Sequence, residues 1–319
     1  MFKKIDYFIV CLLASLLISA FTPLSFVQSW HDSIAKLCNV GIALIFFFYG
    51  LKMNKSDLRH GLSNYRLHLI VQVCTFVIFP LLAFLLKPLF VGFGLSEFWL
   101  GFLFLAALPS TVSSSVVMVS IAKGNMPAAI FNASISGLIG VLVTPLWMNF
   151  SSNTSNLSET FLNLCITILI PVCLGFLLNR LWGKWATKHK KALSNFDKGI
   201  ILLIVFNSFS EAFSGGIFKQ FSLFQIALVG LFVSLILALI YGLILLTCRA
   251  FHFAVEDEIT ACFCGSKKSL IHGSVMVQTL FKSGSSQALV LLPVMIYHSV
   301  QLIIISFIAQ RYANRNTGE

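Results

Sequence analysis

The chain has 319 residues, of which 58% are hydrophobic and 10% charged, and its formal net charge is +11. A soluble domain carries about 25% charged residues, so this composition excludes an ordinary soluble protein and indicates a protein embedded in a lipid bilayer. The positive charge does not indicate a nucleic-acid partner, because the basic residues cluster in alternate loops, as topology determinants do.

Apolar runs of about 17–25 residues predict ten transmembrane helices, and hence an all-α polytopic membrane protein with the whole chain, 1–319, in a single membrane domain. In chain order the predicted spans cover residues 5–22, 36–52, 67–87, 97–121, 126–149, 159–181, 198–217, 222–248, 256–281 and 287–311. The first is expected to be a retained span, since it lacks a clear small-residue cleavage site and further spans follow it.

The distribution of lysine and arginine predicts the orientation of these spans. With the N-terminus in the cytoplasm, sixteen of the 22 basic residues fall in inside segments and four in outside segments, and the other two lie within a span. Basic residues concentrate on the cytoplasmic side of membrane proteins, so both termini are predicted to be cytoplasmic. The longest basic stretch, Lys184 to Lys191, is predicted to be a cytoplasmic loop.

Two of the predicted spans carry helix-breaking and polar residues near their centres. Span four contains Leu108-Pro-Ser-Thr-Val-Ser-Ser-Ser-Val116, and span nine contains Cys264-Gly-Ser-Lys-Lys-Ser269. A lysine at mid-bilayer costs about 2.5–3.5 kcal/mol even on lenient scales, and backbone can leave the helix there only where protein or a water-filled cavity covers it. Both spans are therefore predicted to be broken, with the breaks lying against each other.

The two interruptions also predict an internal repeat. Pro109 and Ser266 are 157 residues apart, and so are Tyr65 and Ser222, near the starts of spans three and eight. Each half has five spans, an odd number, so the second half, about 159–311, is expected to be inverted in the membrane relative to the first, about 5–149. Broken helices four and nine would then cross near the bilayer centre and present helix ends to one cavity.

Lys267 and Lys268 admit two interpretations. In the functional one, at least one of them binds an anionic group or carries a proton. In the structural one, a lysine holds the crossing together by donating to carbonyl groups freed in span four. Glu211 is the only carboxylate well inside a predicted span, and it shares a helix face with Asn207. It is the natural partner for a buried lysine, with simple hydration near the outer end of span seven as the alternative.

The remaining polar residues within spans also have a functional and a structural interpretation. Asn132 and Ser136 either line the cavity or serve helix packing. His298 and Gln301 belong either to a proton path or to an interhelical hydrogen bond, and the same applies to His272. The acidic residues that open span nine, Glu256 to Glu258, are expected to stabilise its N-terminus, with a role in cation entry as the alternative. The cysteines are expected to be packing residues, and no motif indicates an enzyme, a cofactor or a metal centre.

The sequence resembles the bile acid:sodium symporter family, and most closely its SBF-like, YfeH-type branch of bacterial membrane proteins. The specific match is Phe263-Cys-Gly-Ser-Lys-Lys-Ser-Leu270, and the others extend from the second span to the ninth. They are Phe46-Phe-Phe-Tyr-Gly-Leu-Lys52, Arg66-Leu-His-Leu69, the serine-rich break of span four, Gly124-Asn125, Ala129-Ile-Phe-Asn132 and Thr144-Pro145.

The resemblance implies a core domain of spans three to five and eight to ten that moves against a panel domain of spans one, two, six and seven. It also implies a bacterial inner-membrane protein. In the bile-acid branch, span nine offers a glutamate and a Gln-Asn pair that help bind sodium. Here Phe263, Lys267 and Lys268 occupy those places, so coupling to sodium through this span is not expected, and the coupling ion, sodium or proton, stays open. The residual candidates for a sodium site are Ser114, Ser115 and Asn132.

The predicted function is secondary transport of a small organic anion by alternating access. The alternative is a non-transporting membrane regulator or accessory protein that retains the fold. The predicted substrate-binding residues are Lys267, Lys268, Ser113, Ser114, Ser115, Asn132, Ser136, Ser266 and Ser269. The predicted coupling residues are Glu211, Asn207, His298 and Gln301.

Overall fold

The computed structural model describes residues 7–52, 64–111, 113–152, 162, 165–214, 216–281 and 284–315. All regular elements in these ranges are helical, and no β-strand occurs among them. The α-helices, numbered in chain order, are α1 Tyr7–Phe21, α2 Leu24–Lys52, α3 Tyr65–Val73, α4 Phe79–Gly92, α5 Ser96–Ala107, α6 Ser113–Ile121, α7 Met126–Ser152, α8 Ile170–Lys188, α9 Lys190–Ser214, α10 Leu223–Ala250, α11 Val255–Gly265, α12 Leu270–Leu280 and α13 Gly284–Ala313.

Seven helical stretches of the described chain are long and apolar enough to cross a membrane. They are Ser33–Lys52, Tyr65–Gly92, Met126–Phe150, Ile166–Lys188, Lys190–Ser214, Leu223–Ala250 and Ser286–Ala313. The other three predicted spans correspond to α1 and to the interrupted pairs α5–α6 and α11–α12. Each of these helices has at most 15 residues, fewer than the roughly 20 that a straight transmembrane helix needs. An all-helical membrane protein is therefore confirmed, and the count of ten spans stays a prediction.

One predicted loop was wrong. Helix α2 begins at Leu24, but the part of it that is apolar enough to cross a membrane, Ser33–Lys52, agrees with predicted span two, residues 36–52. The predicted loop Lys184 to Lys191 is helical on both sides of His189, because the prediction ended span six where charged residues begin. The four lysines of the supposed loop are exposed, whereas Ala186 and Leu193 are buried, so one apolar face continues through the basic stretch and keeps it helical.

The chain divides into two compact units. Unit one comprises Met1–Asn54, Thr154–Phe224 and Gly273–Leu291, and unit two comprises Lys55–Asn153, Gln225–His272 and Leu292–Glu319.

In unit one, α2 and α8 pack so closely that their main chains touch. A Cβ atom on Gly50 would lie 2.0 Å from the carbonyl oxygen of Val172, and one on Gly175 would lie 2.0 Å from the carbonyl oxygen of Phe47. Only glycine permits an approach of this kind, which is common where membrane helices associate through small residues. The helices α1 and α9 complete the packing of this unit.

In unit two, α3 and α4 are joined by a π-helical turn, Cys74–Ile78. The N–H of Phe79 donates to the carbonyl oxygen of Cys74, and the following residue, Pro80, has no N–H to donate. The carbonyl groups of Thr75 and Phe76 are therefore left for other donors. The indole Nε1 of Trp147 donates to the Phe76 oxygen at 2.8 Å. Such turns often occur at functional positions.

Candidate functional site

Unit two contains both helix interruptions that the sequence predicts. The first separates α5 from α6 after Ala107, where Pro109 cannot donate a main-chain hydrogen bond. The second separates α11 from α12 between Gly265 and Leu270. The interruptions are hydrogen bonded to each other, since the N–H of Ser269 donates to the carbonyl oxygen of Pro109 at 2.9 Å.

Two serines, one in the first interruption and one in the first turn of α6, strengthen this connection. Ser110 donates its hydroxyl to the carbonyl oxygen of Cys264 at 2.6 Å, and Ser115 donates to that of Phe263 at 3.3 Å. Both acceptors lie in the last turn of α11, where helical carbonyl groups have lost their regular donors. The serine-rich sequence therefore supplies hydrogen-bond donors to the last carbonyl groups of α11.

The last carbonyl groups of α5 also have partners. Ala107 accepts a hydrogen bond from the hydroxyl of Thr144 at 2.8 Å, and Ala106 and Leu108 accept from the ammonium of Lys268 at 2.6 and 2.8 Å. A buried carbonyl without a donor costs free energy comparable to a lost hydrogen bond. The broken end of α5 is thus completed by side chains from other helices.

The second interruption is held mainly from α13. Gln301 accepts from the main-chain N–H of Lys268 at 2.8 Å and donates to its carbonyl oxygen at 2.9 Å. The hydroxyl of Tyr297 donates to the carbonyl oxygen of Ser266, whose own hydroxyl donates to Cys262 at 2.6 Å. Polar side chains of α13 therefore replace the hydrogen bonds that the broken helix lacks.

The two lysines differ sharply in their surroundings although both are buried. Lys268 Nζ donates to three carbonyl oxygens, those of Thr75, Ala106 and Leu108, and lies 4.1 Å from the centroid of the Phe79 ring. Lys267 is 0% exposed, and its Nζ has no hydrogen-bond partner among the described residues. An ammonium has three N–H donors, so Lys268 has none left for Glu211 or for a substrate, whereas Lys267 keeps all three.

The predicted hydroxyl and amide ligands already have protein partners. The hydroxyls of Ser114 and Ser115 each contact the hydroxyl of Thr111 at 2.8 Å, while the side chain of Ser113 lies outside the described residues. Ser136 accepts from the N–H of Ser110 at 2.9 Å. Each of these contacts stabilises the first interruption.

Asn132 and Ser269 are likewise engaged. Asn132 is buried, donates to the carbonyl oxygen of Ala128 at 3.1 Å and accepts from Gln72 at 3.2 Å. Ser269 caps the start of α12, accepting from the N–H of His272 at 3.2 Å, and its hydroxyl lies 2.9 Å from Nδ1 of that histidine.

The predicted pair on α13 is formed, with Gln301 Nε2 3.0 Å from His298 Nδ1. The three carboxylates at the start of α11 all accept hydrogen bonds from other side chains. Asp257 accepts from Asn64 at 2.6 Å and from Asn125 at 2.8 Å. Glu258 accepts from Arg249 and Tyr312, and Glu256 from Arg315. Each of these three carboxylates therefore bonds to a side chain from another segment of unit two.

Helix α9 of unit one carries a carboxylate that is more deeply buried than Glu211. Glu211 is half-buried, whereas Asp197, on the same helix α9, is 8% exposed and forms an ion pair of 3.3 Å with Lys52. Sequence analysis missed Asp197 because span seven was predicted to begin at residue 198. Asn207, one turn before Glu211 on α9, is buried.

Unit one also holds a polar cluster that the sequence analysis missed. Gln278 donates to Gln287 at 2.9 Å, Ser208 donates to the same Gln287 oxygen at 2.9 Å, and Gln287 donates to the carbonyl oxygen of Phe281 at 2.8 Å. The two glutamines lie in apolar sequence next to predicted span ends. Two amide side chains in apolar sequence are a signal from which a buried polar cluster could have been predicted.

Comparison with known proteins identifies a family and relatives that match nearly the whole chain. The model of the SBF-like CPA transporter family matches residues 6–314. Uncharacterized protein PA2026 of Pseudomonas aeruginosa is 39% identical, with 97% of this chain and 93% of that protein covered. The Escherichia coli K12 protein YfeH, provisionally named a symporter, is 34% identical, with 98% and 94% covered.

More distant relatives carry the name of the wider family. Sodium/bile acid cotransporter 7-A of Xenopus laevis is 28% identical, with 83% of this chain and 79% of that protein covered. The family match extends over nearly the whole chain, and the apolar helices have the length of membrane spans. The chain is an integral membrane protein that belongs to the SBF-like CPA transporter family, which is related to the bile acid:sodium symporters.

Proposed function

We propose that this protein is a secondary transporter of a small organic anion, that it works by alternating access, and that Lys267 is the group that binds the anion. The observation that carries the proposal is the missing partner of the Lys267 ammonium. Most of the main-chain and side-chain groups around the two interruptions have hydrogen-bond partners, whereas this buried cation has none among the described residues. A buried charge without a partner is costly, and an anionic ligand supplies both the charge and the acceptors.

The proposed architecture is ten spans in two inverted repeats, with a core and a panel and with both termini in the cytoplasm of a bacterium's inner membrane. The composition of the two compact units supports the division into a core and a panel. Unit two holds the predicted spans three, four, five and eight together with both interruptions, and unit one holds spans one, two, six and seven. The segment Gly273–Leu291, the end of span nine and the start of span ten, is grouped with unit one instead.

Uptake into proteoliposomes tests the proposed function directly. The purified protein is reconstituted and offered a panel of carboxylates, sulfonates and steroid conjugates, and in parallel the same compounds are screened for stabilisation of the folded protein. We expect at least one anion to be taken up and to raise the unfolding temperature, because a ligand that binds only the native state stabilises it. A panel without uptake or stabilisation would favour the non-transporting alternative.

Transport is expected not to depend on sodium. The residual candidates for a sodium site are committed to the protein, since Ser114 and Ser115 contact Thr111 and Asn132 accepts from Gln72. A lysine ammonium also repels a sodium ion at contact distance by several kcal/mol at an effective dielectric constant of about 20. Uptake should therefore be unchanged when sodium is replaced by potassium at fixed pH and membrane potential. A steep rise with sodium concentration would contradict this.

A further inference from the structure

The ammonium of Lys268 occupies a site that is built almost wholly from main chain. Its three acceptors are the carbonyl oxygens of Thr75, Ala106 and Leu108, at 2.8, 2.6 and 2.8 Å, and the ring of Phe79 lies on a further side at 4.1 Å. No carboxylate is among the described partners of this nitrogen. Neutral carbonyl dipoles and an aromatic face are the groups that bind small monovalent cations in other proteins.

These three carbonyl groups lack helical hydrogen-bond donors for reasons that do not involve Lys268. The π-helical turn and Pro80 leave the carbonyl of Thr75 without a helical donor. The end of α5 at Ala107 does the same for Ala106 and Leu108. The N–H of Ser110, which would bond Ala106 in a continuous helix, donates to the hydroxyl of Ser136 instead, and Leu108 lies beyond the last helical residue. Ala106 and Leu108 lie at the C-terminal end of α5, which is the negative end of the helix dipole and further favours a cation.

The main chain of Lys268, which carries the ammonium, is also held in place. Gln301 binds both the N–H and the carbonyl of the Lys268 main chain, and the side chain is 1% exposed. The ammonium therefore stays in the carbonyl site and is not exchanged with ions in solution.

We propose that Lys268 is an internal counter-cation: its ammonium fills a binding site for a monovalent cation of ammonium's size, and the site, once vacated, accepts ammonium, methylammonium or potassium from solution. Oxygens at 2.6–2.8 Å suit these cations better than sodium, which is smaller and needs shorter contacts. Lys268 is in this sense a positioning residue, which joins the end of α5 to the π-helical turn. The inference does not depend on the transported anion, because its readout is stability. It also explains why two adjacent lysines are present, since the charge of Lys268 is used within the protein and that of Lys267 is not.

The experiment vacates the site with Lys268→Ala and supplies cations from solution. Unfolding temperatures of the purified protein are measured in chloride salts of sodium, potassium, ammonium, methylammonium and tetramethylammonium at constant ionic strength. We expect a fall of roughly 10 °C in sodium, because three buried carbonyls lose their donor, and recovery of most of it in methylammonium, ammonium or potassium. Tetramethylammonium, which is bulkier and has no N–H, should not restore stability. The unfolding temperature of the wild-type protein should be the same in all five salts.

Two matched variants make the test specific. Lys267→Ala, at the adjacent residue, should show no cation-specific recovery, because its ammonium has no carbonyl site. Lys268→Met should be destabilised without recovery, because its side chain fills the space that the cation needs. If Lys268→Ala does not survive purification, the same salts are applied to membranes before solubilisation and the fraction that stays soluble after heating is measured. Absence of cation-specific recovery in both preparations, or equal recovery in Lys267→Ala, would overturn the proposal.

Discussion

Replacing Lys267 with methionine is expected to abolish anion binding and uptake while the protein still folds. Methionine keeps much of the apolar stem and removes the charge and its three donors. Removing one partner of a buried ionic contact weakens binding by roughly 30-fold or more. Stability should be unchanged or higher, because the ammonium of Lys267 makes no hydrogen bond to the described residues that the substitution could break. Uptake and ligand-induced stabilisation, measured with an anion from the panel, check both halves of this prediction.

The adjacent Lys268→Met and the exposed Lys184→Met are the controls. Lys268→Met should lower the unfolding temperature strongly, since the carbonyls of Thr75, Ala106 and Leu108 lose their donor. Lys184→Met, on the exposed surface of α8, should change neither property. Wild-type uptake by Lys267→Met would show that the anion binds elsewhere, and loss of folding would show that this lysine is structural.

The features that could be predicted from the sequence are those that cost free energy in a membrane. Two lysines in an apolar run, with Pro109 and Gly265 near the two breaks, predict the interruptions from local rules alone. The hydrogen bond from Ser269 to Pro109 joins the interruptions as expected. The apolar lengths of most spans also follow from composition, because main-chain groups in a bilayer have to be bonded within helices.

The separate roles of the two lysines could not be predicted. They are neighbours in sequence, and their difference arises from Gln301, which fixes the main chain of Lys268, and from Pro80, which frees a carbonyl in another helix. Gln301 was predicted as a coupling residue on its spacing from His298. Its actual contacts depend on the position of α11 relative to α13, which a one-dimensional pattern does not contain. Asp197 was missed for a simpler reason, since a charged residue was used to mark the end of a span.

Alanine at Gly50 or Gly175 is expected to cause the largest loss of stability of any small substitution in unit one. The added Cβ atom would lie 2.0 Å from a carbonyl oxygen of the facing helix, that of Val172 or of Phe47. Main chain cannot move aside as a flexible side chain can, so α2 and α8 would have to separate along their shared face. Overpacking of a rigid contact costs about 3 kcal/mol or more, equivalent to a fall of roughly 10 °C in the unfolding temperature. Thermal unfolding of the purified variants measures this.

Gly199→Ala is the matched control, because a Cβ atom on Gly199 of helix α9 meets nothing within 4 Å. It makes the same chemical change within unit one, and it should leave stability unchanged or raise it, since alanine is favoured over glycine within a helix by about 1 kcal/mol. A pair of variants, Gly50→Ala and Gly175→Ala, that unfold at the wild-type temperature would mean that α2 and α8 do not approach so closely. If Gly199→Ala is destabilised equally, glycine at these positions serves helix flexibility rather than contact. The close packing of α2 on α8 requires the loss to be confined to the two glycines that face a carbonyl.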